Sequence, residues 1–131
     1  SKVFGTWFNR AVLAEGCIIN AKKIERSIVG IRSRIGHETE ISNAIIMGND
    51  SYETLEEIEN PSKIRPMGIG DNCQIRNAII DKDCRIGNDV IIHGSVALPD
   101  TETETYCIRD GIVVVKKGAY LPDGTRIGLG E

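Results

Sequence analysis

Residues 69–92 read IGDNCQIRNAIIDKDCRIGNDVII. Isoleucine stands at Ile69, Ile75, Ile80, Ile86 and Ile92, so the steps between them are six, five, six and six residues. A period near six matches neither the 3.6 of an α-helix nor the two-residue alternation of a long strand. It is the hexapeptide signature of a parallel β-helix, in which each hexad forms one short flat face of a coil. Gly70 and Gly87 directly follow two of the isoleucines, where the chain must turn a corner. Cys73, Cys84 and Val90 sit four places after Ile69, Ile80 and Ile86, in a slot that takes a small inward side chain. The fold class expected is all-β: a parallel β-helix with three hexads, about 18 residues, to a coil and strands stacked ~4.8 Å apart.

Outward from this stretch the same phase recurs. Leu13, Ile19, Ile24, Val29, Ile35, Ile41 and Met47 follow one another at steps of five or six, with Gly30, Gly36 and Gly48 behind three of them. The pattern breaks from about residue 50 to 67, where an acidic first half (Glu53, Glu56, Glu57, Glu59) could form a short helix. The second half is basic (Lys63, Arg65). A break this long is usually a functional or mobile loop. A second excursion, 93–108, is acidic at Asp100, Glu102 and Glu104, after which Val115, Leu121 and Ile127 restore the step of six. The whole chain, 1–131, is read as one β-helix domain with two projecting loops. Ile112–Val115 is an apolar run in which alternate residues must face outward. Two of the four are expected on the surface beside an open edge, unless the 93–108 segment covers them. Residues 1–12, SKVFGTWFNRAV, hold both phenylalanines and the only tryptophan and show no hexad phase. They are read as an irregular strand capping the open coil end, or as a surface packed on a preceding domain. A start at Ser1 without methionine points to a piece of something longer.

Composition narrows function. The net charge of -3 excludes a general nucleic-acid or anionic-membrane footprint, and no apolar run approaches the ~18 residues of a membrane span. The four cysteines form no CxxC pair, and the two histidines lack ligand spacing, so no metal site is expected. Cys17, Cys73 and Cys84 occupy the small inward slot and read as buried reduced thiols. A cytoplasmic location follows as the default.

Four segments carry more than a fold: SIVGIRSRIG (27–36), IIMGNDSYET (45–54), residues 69–90, and IRDGIVVVKKGAYLPDGTRI (108–127). In them the chain resembles the C-terminal domain of the ADP-glucose pyrophosphorylase (glucose-1-phosphate adenylyltransferase) family. The resemblance implies a left-handed β-helix that serves tetramer assembly and allosteric control. It also implies a separate N-terminal nucleotidyltransferase domain, using Mg and ATP, that makes ADP-glucose from ATP and glucose 1-phosphate for glycogen synthesis. No catalytic residue and no cofactor are expected in the present chain, because the glycine-rich nucleotide loop and metal-binding aspartates of that domain are absent from it. The implied partners are the chain's own catalytic domain, further copies of itself and a phosphorylated metabolite. Lys82 and Lys117 match two lysines that contact the anionic effector in relatives, and two ammonium groups converging on phosphate make chemical sense. Arg85, three residues past Lys82, could add a planar fork. The alternatives are an interaction domain of another sugar nucleotidyltransferase, or a hexapeptide-repeat acyltransferase using His37 or His93 as general base.

Overall fold

The computed structural model of the chain describes residues 1–51 and 65–129, and there the hexads form fifteen strands and no helix. One face of the coil stacks six two-residue strands: β1 (Lys2–Val3), β3 (Ile18–Ile19), β5 (Arg34–Ile35), β7 (Gly68–Ile69), β9 (Arg85–Ile86) and β14 (Tyr120–Leu121). All pair in parallel and bring Ile19, Ile35, Ile69, Ile86 and Leu121 into one inward column. The other two faces are carried by seven-residue strands bent in the middle: β2 (Trp7–Leu13), β4 (Lys23–Val29), β6 (Glu40–Ile46) and β8 (Gln74–Ile80). Their first halves continue into β10 (Ile91–His93) and β15 (Arg126–Gly128), stacking Ile24, Ile41, Ile75, Ile92 and Ile127. Their second halves stack Val29, Ile46 and Ile80 under Val115 of β13 (Ile112–Val115). These columns are the core, and Ile75, Ile80, Ile86 and Ile92 are buried as their spacing requires.

The bend explains the five-residue steps Ile24–Val29, Ile41–Ile46 and Ile75–Ile80, while the step Ile19–Ile24 lies at a different corner. Arg26, Asn43 and Asn77, at the centres of β4, β6 and β8, have φ of 45, 49 and 53°. One left-handed residue turns the corner where the other two corners need a longer turn, so the inward position recurs after five residues. Successive coils are consequently offset by 16 or 17 residues, as in Leu13↔Val29 and Ile24↔Ile41, rather than the expected 18. The same geometry corrects Met47: the inward residue is Ile46, 5% exposed, while Met47 is 40% exposed. Asparagine tolerates the left-handed region best among residues with a Cβ. The corner is further tied by a ladder in which Arg26 Nε donates to Asn43 Oδ1 (2.8 Å), Asn43 Nδ2 to Asn77 Oδ1 (3.2 Å) and Asn77 Nδ2 to the Gly94 carbonyl (2.9 Å).

The N-terminal stretch belongs to the coil after all. Phe8 pairs with Ile24 and Val3 with Ile19, so both take inward positions in the first layer. Phe4 and Trp7 do not cap that layer; they are 57% and 54% exposed. The helix considered for the first excursion falls mostly on residues 52–64, outside the described residues. The second excursion is only partly a loop. Its β11 (Thr101–Glu102) and β12 (Tyr106–Arg109) form an antiparallel meander with β13, so the edge of β13 is covered by β12. Val113 and Val115 point into the core, and Ile112 and Val114 lie on the outer side, the two-of-four split expected of that run.

Candidate functional site

Each coil has a corner at the end of its bent strand, and three of these corners stack. Asp83 N–H donates to the Gly48 carbonyl (3.2 Å) and Gly118 N–H to the Lys82 carbonyl (2.9 Å). With Ile80 registered on Val115 and Ile86 on Leu121, the coil between them places Lys117 directly over Lys82, although 35 residues separate them. The first corner supplies the complementary charge. Asp50 Oδ1 lies 3.1 Å from Lys82 Nζ, and its Oδ2 lies 3.7 Å from Lys117 Nζ. One carboxylate thus bridges both ammonium groups at the protein surface. The Lys82 hydrogen bond is the main influence holding the Asp50 carboxyl below its ordinary range, against a smaller opposing effect of burial, with the charges of Lys82 and Lys117 adding to it.

The backbone under Asp50 is anchored independently of that pairing. Its N–H donates to Asp83 Oδ1 (2.9 Å), and its carbonyl accepts from Arg32 Nη2 (2.8 Å). Arg32 Nε also donates to the Asn49 carbonyl (3.0 Å), while Asn49 Nδ2 returns a bond to the Arg32 carbonyl (2.9 Å). Arg85 lies on the adjoining face, in β9, where its Nη1 donates to the Arg65 carbonyl (2.8 Å). Lys116 is committed to the meander, ion-paired with Glu102 and donating to the Thr103 carbonyl (2.6 Å). The corner therefore brings together Lys82 and Lys117. It also brings in Asp50, Asp83 and Arg32, which sequence reading left out. The signal for Asp50 was its place just after the Gly48 corner, inside the conspicuous MGNDSYET segment.

The histidines occupy unrelated places. His37 begins a corner ladder: its N–H donates to Asp71 Oδ1 (2.8 Å), Asp71 N–H to Asn88 Oδ1 (2.9 Å) and Asn88 N–H to Asp123 Oδ1 (2.7 Å). Its exposed ring stands 3.6 Å from Asp71. His93 lies on a flat face in register with Arg76, its Nε2 buried with no hydrogen-bond partner among the described residues. Burial, then the Arg76 charge, lowers its pKa. Among the described residues neither ring is joined to a carboxylate and a nucleophile in the manner of a general base.

A third feature is apolar. The outward positions Val12, Ile28, Ile45, Ile79 and Val114 stack in register across five coils, and the first four line part of a groove of about 630 Å³. Val12, Ile28 and Ile45 are 63%, 50% and 40% exposed, so the stripe is a continuous β-branched apolar patch on the surface.

Comparison with known proteins agrees with this architecture. The family model for the GLGC left-handed parallel beta-helix domain matches residues 1–126. The chain is 40% identical over 122 residues to glucose-1-phosphate adenylyltransferase large subunit 1, chloroplastic/amyloplastic, of Zea mays. That match covers 89% of the chain and 23% of the maize protein, so the chain spans less than a quarter of its relative's length. The chain accordingly belongs to the ADP-glucose pyrophosphorylase (glucose-1-phosphate adenylyltransferase) family, as its C-terminal left-handed β-helix domain.

Proposed function

We propose that this domain is the regulatory and assembly part of a glucose-1-phosphate adenylyltransferase that makes ADP-glucose from ATP and glucose 1-phosphate for glycogen synthesis. The chemistry, with its Mg and ATP, belongs to a separate nucleotidyltransferase domain, and the β-helix alone turns nothing over. Lys82 and Lys117 bind the anionic group of a phosphorylated metabolite, with Arg85, on the adjoining face, as a third cation. The observation that carries this reading is their stacking on a single carboxylate, Asp50. Two ammonium groups that converge on one small anion are arranged for phosphate, whose oxygens accept charge-assisted hydrogen bonds. In the full-length enzyme, Lys82→Ala and Lys117→Ala should each raise the half-saturating concentration of phosphate or of a sugar phosphate by roughly tenfold to a hundredfold. Unaltered effector curves in both variants would remove the anion site from this domain.

The apolar stripe supports the assembly half of the proposal. Its occupant is the rest of the same polypeptide, because the maize relative carries about three times this chain's length beyond the matched region. Contacts between copies then build the homo-oligomer, a tetramer. Ile45→Glu in the full-length enzyme should loosen that architecture and lower the sedimentation coefficient; an unchanged coefficient and an unchanged protease pattern would exclude the stripe as a contact. The four free cysteines suit a reducing compartment, the cytoplasm. Among the described residues no helix is long and apolar enough to cross a membrane.

A further inference from the structure

We infer that Asp50 is a built-in counter-anion that occupies the Lys82–Lys117 site and that an incoming phosphate must displace. The inference rests on the anion-site reading above and adds a regulatory element to it. Three observations carry it. Each carboxylate oxygen of Asp50 faces a different lysine, 3.1 Å from Lys82 and 3.7 Å from Lys117, which is the placement two phosphate oxygens would take. The backbone beneath Asp50 is pinned by Asp83 and Arg32, so the carboxylate stays beside the lysines and competes at a high effective concentration. The side chain itself is 50% exposed, so it can rotate into water when displaced, without leaving a buried charge behind.

The charges set the direction of exchange. The two lysines carry two positive charges, and Asp50 directly matches only one of them. A phosphate monoester brings a charge of about -1.5 to -2 and three acceptor oxygens, and so satisfies both lysines more fully than the aspartate does. Without effector, Asp50 holds both lysine side chains toward the first corner. With effector, those contacts are exchanged, and the Asp50 side chain is released from both lysines. Any affinity measured for phosphate is lowered by the fraction of molecules in which the aspartate is seated.

The test is calorimetric titration of the full-length enzyme with inorganic phosphate. Asp50→Asn keeps the side-chain shape and the backbone bonds, and should tighten phosphate binding by about threefold to tenfold, the scale set by two exposed ion pairs. Asp81→Asn removes the same unit of charge from the same corner. Its amide oxygen can still accept from the Lys82 N–H as Asp81 Oδ1 does at 2.7 Å. It should tighten binding by no more than about twofold, the remainder attributable to general field at short Debye length. In a Lys117→Ala background, Asp50→Asn should give a smaller gain than in the wild type. Unchanged or weaker binding in Asp50→Asn, or an equal gain in Asp81→Asn, overturns the counter-anion while leaving the lysine site standing. Phosphate binding indifferent to Lys82→Ala and Lys117→Ala, or absent throughout, overturns the anion-site reading and this inference with it.

Discussion

Replacing Ile46 with alanine tests the five-residue corner on which the coil geometry depends. Ile46 is 5% exposed and sits in register between Val29 of the coil below and Ile80 of the coil above. The substitution removes three carbons, and at about 0.8 kcal/mol per buried methylene the transfer loss alone is ~2.4 kcal/mol. Both neighbours in the column are β-branched and held in parallel ladders, so the cavity collapses poorly, and the total should fall at about 3–4 kcal/mol, inside the usual range for such truncations. Met47, one residue on and 40% exposed, supplies the control. Met47→Ala should cost less than about 1 kcal/mol, as surface changes do. Urea unfolding of the domain followed by circular dichroism reads both. With a slope of about 1–3 kcal/mol per molar, Ile46→Ala should move the midpoint down by more than 1 M, and Met47→Ala by a few tenths. The reasoning fails if the two variants unfold together, or if Met47→Ala is the more damaging. Either outcome restores an unbroken six-residue phase and dissolves the single-residue corner.

Gly70→Ala should destabilise the fold severely, because its Cβ would stand 2.5 Å from both the Gly87 carbonyl oxygen and Asn88 Oδ1. Gly118→Ala, with nothing within 4 Å and only a φ of +71° against it, should cost only about 1–2 kcal/mol; melting temperatures distinguish the two, and a similar loss in both would contradict the close stacking of coils at Gly70. Burial pushes the Cys84 thiol up from the ordinary 9.0 to about 11. The folded state therefore holds this proton longer than the unfolded chain does. The stability Cys84 confers is complete below pH 9 and drains away as the pH rises toward 11. Cys84→Ala should lose less stability than the wild type across that interval, and parallel pH profiles would refute the assignment. Slow thiol labelling of Cys73 and Cys84 relative to half-buried Cys107 checks the same burial at neutral pH.

What the sequence by itself determined is the repeat. Ile69, Ile75, Ile80, Ile86 and Ile92 specify inward positions because each short face of a coil needs one aliphatic, and that need is local enough to be written as a spacing. The cysteine slots were legible for the same reason: Cys17, Cys73 and Cys84 are small, follow an aliphatic by four residues, and are buried. The phase at Ile45, Ile46 and Met47 was not, since three consecutive apolar residues satisfy either a five- or a six-residue step. Only the left-handed φ of Asn43 chooses between them. For Ile112–Val115 the split between inward and outward residues was legible, but whether residues 93–108 cover the edge stayed open, because pairing with β12 depends on the chain doubling back, which no periodicity announces. The resemblance named Lys82 and Lys117, yet their meeting required the tertiary structure. Coil length and the second excursion together set a 35-residue offset that lays one corner on the next. Asp50 joins them from a third coil, across the first excursion. In a stacked coil, side chains meet across strands rather than along the chain, so a site at a corner is a property of the register.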